Sequence, residues 1–118
     1  MVLVDTSVWV DHLRVGDAGL IELLSNNRVA CHPFIIGELA CGNLQRREEI
    51  LGLLSGLPRV RTVDNEELLD FLRVNRLWGR GMGLVDVHLL ASSRLDGLRL
   101  WTRDRNLHNT ASEMNLEV

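Results

Sequence analysis

Short apolar segments alternate with longer amphipathic segments along this sequence, and the alternation limits the folds it can adopt. The short runs have the length and composition of strands, and they lie at 2–4, 29–31, 60–63, 98–102 and 116–118. Between them, apolar residues recur at helical spacing. Strands that alternate with helices predict a largely parallel sheet sandwiched between helices. We therefore predict an α/β fold with three layers, α/β/α, and about five parallel strands in the central sheet.

Several residues indicate where the helices begin and end. Ser7 is a candidate cap of a short first helix, and Pro33 suits the first turn of a helix that runs to about residue 42. Asp64 or Asn65 can cap the helix whose apolar residues run from 68 to 77. The segment 85–95 is apolar on nearly every face, which predicts a buried helix.

The 118 residues suffice for one sizeable core, so we predict a single domain over residues 1–118. No apolar run approaches the roughly 20 residues that cross a bilayer. The N-terminus lacks the features of a signal peptide, and we therefore expect a cytoplasmic protein with no membrane partner. Cys31 and Cys41 are the only cysteines, and we expect both to be reduced and mostly buried.

The net charge of −3 argues against a protein that binds nucleic acid through bulk positive charge alone. All 13 basic residues are arginines, whose planar guanidinium suits phosphate, although a compositional bias of the source genome is the better explanation for the absence of lysine. A nuclease remains compatible with this balance, because metal-binding carboxylates lower the net charge by themselves.

Two acids lie at the carboxyl ends of predicted strands, where ligand-binding and active sites are found in α/β sheets. Asp5 directly follows the first strand, and Asp104 follows the strand at 98–102 after one further residue. Taken alone, Asp5 is explained equally well as a turn or helix-cap residue, whereas Asp104 is better explained as a helix cap.

Two more acids lie on helices. Glu38 falls on the same helical stripe as Ile35 and Leu39, where a charged group needs either an arginine or a cation as partner. Asp86 opens the most apolar helix, where an acid also opposes the helix dipole. Carboxylates that converge repel one another unless a divalent cation neutralises them, and Mg²⁺ or Mn²⁺ is the natural choice. Such a site suits phosphodiester hydrolysis.

Four segments resemble the PIN-domain nucleases, and specifically the VapC-type toxins of toxin–antitoxin pairs. They are VLVDTSVW at 2–9, HPFIIGELACG at 32–42, GMGLVDVHLLAS at 81–92 and LWTRDRNL at 100–107. The resemblance covers nearly the whole chain, and its acidic cluster falls on Asp5, Glu38, Asp86 and Asp104.

The resemblance implies an endoribonuclease that depends on Mg²⁺ or Mn²⁺ and leaves 5′-phosphate and 3′-hydroxyl ends. Asp5, Asp86 and Asp104 are then the metal ligands, and Glu38 holds a second metal or orients the attacking water. Polar residues that support these carboxylates fall on Thr6 or Ser7 and on Thr102. Arg103 and Arg105 flank the last acid and are candidates for RNA phosphate contacts, although most arginines are simply exposed.

The resemblance also implies protein partners, namely a VapB-type antitoxin that covers the active site and a second copy of the chain in a homodimer. Trp9, Leu13, Trp78 and Met82 are large residues near helix ends that suit either an interface or the core.

Three other functions stay open. A haloacid-dehalogenase-like phosphatase also places an acid after the first strand, but it needs an aspartate two residues later, where this chain has Ser7. A PIN-like module without catalysis would serve protein interaction only. A nuclease that processes cellular RNA would share the site without the toxin role.

Overall fold

The structure is a computed structural model that describes all 118 residues. Three strands and seven helices follow one another along the chain: β1 (Val2–Val4), α1 (Thr6–Val15), α2 (Ala18–Ser25), β2 (Val29–Ala30), α3 (Pro33–Cys41), α4 (Arg47–Ser55), α5 (Asn65–Asn75), α6 (Leu84–Asp96), β3 (Arg99–Trp101) and α7 (Arg105–Glu113). None of the helices combines the length and the apolar character needed to span a membrane.

The sheet is parallel, with β1 between β2 and β3. Leu3 at its centre pairs with Ala30 on one side and with Leu100 on the other. All three residues of β1 are buried, as expected for a strand covered on both faces. The carboxyl ends of β1 and β3 therefore lie side by side at one edge of the sheet.

The prediction of about five strands is wrong, because two of the expected strands make only isolated bridges. Arg59 pairs with Cys31 beyond β2, and Glu117 pairs with Leu100 beyond β3. After this single bridge the first segment leaves the sheet, and the backbone N–H of Arg61 donates to a side-chain oxygen of Asp96 (2.8 Å) instead of a strand neighbour. This side-chain hydrogen bond takes the place of the backbone hydrogen bond that would have continued the strand.

The chain path nevertheless yields layers. It moves outward from β1 through β2 to the bridge at Arg59, and then reverses to reach β3 and the bridge at Glu117. Parallel crossovers are right-handed, so the reversal puts α1–α4 and α5–α7 on opposite faces. The packing agrees, because α3 lies against α1 and α4, whereas α5 lies against α6, and α6 and α7 both contact β3.

Helix α6 lies in the core, as its apolar sequence predicts: every residue from Val87 to Ser93 is buried. Asp64 caps α5 in a capping box with Glu67, which confirms one of the two candidate caps. Both cysteines are free, but Cys41 is exposed and only Cys31 is buried.

The four large residues considered for an interface divide between core and surface. Trp9 belongs to the core, and Leu13 and Met82 are partly buried against it. Trp78 is 65% exposed, and it lies in the loop between α5 and α6.

Candidate active site

Asp5 is a buried carboxylate at the end of the central strand. It occupies the N-cap position of α1, where we expected Ser7, yet its side chain makes no capping hydrogen bond. One of its oxygens, Oδ2, instead accepts hydrogen bonds from the hydroxyls of Ser7 (2.8 Å) and Thr102 (2.7 Å). Asp5 is only 6% exposed, so these two donors replace the water that a buried carboxylate loses.

Thr102 connects Asp5 to the second strand-end acid. Its Oγ1 donates to Asp5 and accepts the backbone N–H of Asp104 (3.0 Å). Asp104 is exposed and caps α7 by accepting from the backbone N–H of Leu107 (2.9 Å). The cap interpretation of Asp104 is therefore correct, and one of its oxygens, Oδ2, is used by the cap.

Glu38 was expected to lie among buried residues, but it is exposed at the edge of the apolar stripe, while Ile35 and Leu39 are buried. Its partner is neither an arginine nor another charged group: Thr6 Oγ1 donates to Glu38 Oε1 at 2.7 Å. Since Thr6 directly follows Asp5, this hydrogen bond ties α3 to the end of the central strand.

Asp86 lies half-buried in the first turn of α6, where the backbone N–H of Gly83 donates to its Oδ2 (3.2 Å). Burial raises the pKa of Asp86, and the negative charges of Asp5, Asp104 and Glu38 raise it further. The structure thus brings Asp5, Glu38 and Asp104, from separate parts of the chain, within electrostatic range of Asp86.

None of these four carboxylates is neutralised by an ion pair. Every ion pair in the chain uses another acid, and the nearest donors to the four are hydroxyl and backbone N–H groups. Uncompensated carboxylates that face one another favour a cation between them. These four acids, which we call the acidic cleft, are therefore not part of a salt-bridge network.

The model of the PIN domain family matches residues 2–113, a span that includes all four acids. The chain belongs to the PIN-domain family. Two relatives, both named "Ribonuclease VapC32", come from Mycobacterium tuberculosis strains CDC 1551 / Oshkosh and ATCC 25618 / H37Rv. Each is 48% identical over 119 residues, covering 100% of this chain and 96% of the relative. The chain is thus a PIN domain of the VapC type.

The chemistry of the donors in this PIN domain fits a hard divalent cation, because every candidate ligand atom is a carboxylate oxygen. No three Asp, Glu, His or Cys side chains come close enough together to hold one ion directly. Mg²⁺ usually keeps several waters and binds through one or two carboxylates, so this wider spacing suits an ion held partly through water.

The two candidate arginines of the PIN domain have different surroundings. The guanidinium of Arg103 contacts the carboxylates of Asp11 and Asp17 and is therefore already engaged, whereas exposed Arg105 has no ion-pair partner. Sequence reasoning missed both acids. Asp11 could have been found from the sequence, because it lies four residues after Ser7 and hence on the same face of α1.

Proposed function

We propose that this PIN-domain protein is an endoribonuclease that uses Mg²⁺ or Mn²⁺, and that it is the toxin of a type II toxin–antitoxin pair. The observation that carries the proposal is the grouping of four acids from separate parts of the chain without a neutralising arginine. Burial raises the pKa of Asp86, and the other three carboxylates raise it further. The similarity to relatives named as ribonucleases supports the same reaction.

In this proposal, Asp5, Asp86 and Asp104 hold the cation, while Glu38 holds a second one or orients the attacking water. A bound cation would supply a more nucleophilic water and a positive charge facing the scissile phosphate. Because water and not the ribose 2′-hydroxyl attacks, the products carry a 5′-phosphate and a 3′-hydroxyl.

The remaining polar residues of the cleft fix the orientation of the carboxylates. Ser7 and Thr102 both donate to Oδ2 of Asp5, which leaves Oδ1 of that residue available. Thr6 plays the same part for Glu38 through one oxygen. Preorganised carboxylates do not have to reorient when the substrate arrives, and this lowers the barrier of the reaction. Exposed Arg105 is the better placed of the two arginines for an RNA phosphate.

The proposal extends to partners and location. The substrate is RNA, a VapB-type antitoxin covers the acidic cleft, and the chain forms a homodimer in the cytoplasm. An antitoxin that brings an arginine into the cleft would supply the positive charge that the chain itself does not place beside its four acids.

RNA cleavage by purified protein tests the nuclease. Asp86→Ala should abolish cleavage of a labelled RNA in Mg²⁺ or Mn²⁺, and EDTA should abolish it for the wild type. Asp70→Ala is the matched control, because Asp70 is an equally charged aspartate on the exposed face of α5. Cleavage by Asp86→Ala near the wild-type rate would disprove the site, and sequencing of the RNA ends tests the predicted 5′-phosphate.

Expression in cells tests the toxin role separately. Wild-type protein should arrest growth, Asp86→Ala should not, and a short antitoxin gene upstream should restore growth. A cleaving enzyme that never affects growth would instead be a nuclease that processes cellular RNA.

A further inference from the structure

Arg103 stands between the two residues that organise the acidic cleft, Thr102 and Asp104. Its side chain turns away from them toward the α1–α2 region, where Nη1 donates to Asp11 and Nη2 donates to Asp17. The two terminal nitrogens of one guanidinium thus reach carboxylates on two different segments. Arginine suits this arrangement because its donors diverge in a rigid plane.

The two carboxylates are firmly placed. Asp17 caps α2 by accepting from the backbone N–H of Leu20 (2.9 Å), and its own backbone N–H donates to Nδ1 of His12 (3.1 Å). The Leu20 amide and the Arg103 guanidinium lower the pKa of Asp17, which keeps it charged. Asp11 lies within α1, one turn beyond Ser7.

The backbone of Arg103 leads back to the site. Its N–H donates to Ser7 Oγ (3.0 Å), and Ser7 donates in turn to Asp5 (2.8 Å). The segment 102–104 is therefore attached to α1 twice, through the Arg103 side chain and through its backbone amide.

We propose that Arg103 is a positioning residue whose ion pairs with Asp11 and Asp17 hold the segment 102–104 in the place where Thr102 and Ser7 orient Asp5. This role rests on the proposed function and replaces the phosphate contact expected for Arg103. An RNA phosphate would have to displace two carboxylates, whereas Arg105 has none to displace.

Enzyme kinetics separate positioning from RNA binding. Arg103→Gln should lower kcat by roughly tenfold through misplacement of Asp5, with KM and the salt dependence of RNA binding unchanged. Arg105→Gln is the comparator for a phosphate contact. It should raise KM and reduce the salt slope, which is the slope of the logarithm of the RNA-binding constant against the logarithm of the salt concentration, by about one. Arg73→Gln removes an exposed ion pair on α5 and should leave kcat unchanged.

A double-mutant cycle checks that Arg103 acts through the two aspartates. In an Asp11→Asn/Asp17→Asn background, where the new amide oxygen still caps α2, Arg103→Gln should have almost no further effect on kcat. If its effect instead adds in full, or if Arg103→Gln raises KM and lowers the salt slope, Arg103 contacts RNA and the positioning role is overturned.

Amide hydrogen exchange tests the same role in metal-free protein without any substrate. The backbone amides of residues 103 and 104, which donate to Ser7 and Thr102, should exchange roughly tenfold faster in Arg103→Gln and in the double aspartate variant, as local opening becomes easier. Arg73→Gln should not change them. Unchanged exchange overturns the proposal. If the wild type cleaves no RNA but Arg103→Gln still exchanges faster than the wild type, the nuclease is disproved and the positioning role of the Arg103 ion pairs stands.

Discussion

Thr102 donates a hydrogen bond to Asp5 over 2.7 Å, although the two residues are 97 positions apart in the chain. They meet because β1 and β3 are parallel neighbours, so that the carboxyl ends of both strands reach the same edge of the sheet. The pairing of these two strands therefore builds the central contact of the acidic cleft.

Loss of the Thr102 hydroxyl should weaken both the fold and the site. Thr102→Val keeps the shape but deprives Asp5 of one donor and the Asp104 amide of its acceptor, and the free energy of unfolding should fall by about 1–3 kcal/mol. Thr110→Val is the control, because the buried Thr110 hydroxyl has no hydrogen-bond partner. The free energy of unfolding of this variant should stay the same or rise. Urea unfolding of both variants measures the difference. Equal losses would mean that the Thr102 hydrogen bonds contribute nothing specific.

Mn²⁺ and Mg²⁺ should stabilise the wild type against heat, because a ligand bound only by the folded state adds about 2.7 kcal/mol at a hundredfold excess over its Kd. Asp5→Asn should lose most of that gain while folding normally, since the amide oxygen still accepts from Ser7 and Thr102. Asp70→Asn removes the same charge from exposed α5 and should respond to metal like the wild type. Melting curves with and without the ion decide, and identical gains in all three proteins would contradict the assignment of Asp5.

Asp86→Asn should change the pH dependence of stability in EDTA. Because its pKa is raised, chiefly by burial and further by the neighbouring carboxylates, folded Asp86 binds its proton more tightly than unfolded Asp86 does. The wild type therefore loses stability as pH rises from the ordinary aspartate range through this raised pKa. The variant escapes the loss, so it should be the more stable protein at about pH 7, with the difference shrinking below about pH 4. Urea midpoints at both pH values test this, and a constant difference would refute it.

Gly81 should be intolerant of a side chain. It has a φ of +77°, and a Cβ there would lie 2.5 Å from Nδ2 of Asn106, which donates to the Gly81 carbonyl. Gly81→Ala should cost about 1 kcal/mol or more of stability. Gly52→Ala, in the exposed middle of α4 with open space around the new Cβ, should instead stabilise by about 0.5–1 kcal/mol. Thermal unfolding of the two variants should move in opposite directions.

The strand-end acids were predictable because their position follows from local sequence. An apolar run that stops at Val4 predicts both the end of β1 and the place of Asp5, and the same holds for β3 and Asp104. The long buried helix α6 was predictable from composition alone, since apolar residues cover nearly all of its faces.

Contacts between distant segments were not predictable in the same way. The pattern at 60–63 favours a strand, but Asp96 takes the backbone N–H of Arg61, and no local signal announces a partner 35 residues away. Glu38 shares a helical stripe with buried residues, yet its long side chain reaches Thr6 and stays exposed. Side-chain reach and tertiary partners decided both cases, whereas periodicity describes only the direction of the Cα–Cβ bond.

The β1–β3 pairing also has a consequence for the timing of activity during synthesis. Thr102 leaves the ribosome 97 residues after Asp5, and β1 has no neighbour on that side until β3 has followed it. A nascent polypeptide that stops short of β3 therefore cannot place Thr102 and Asp104 beside Asp5, so a partly synthesised chain lacks the assembled site.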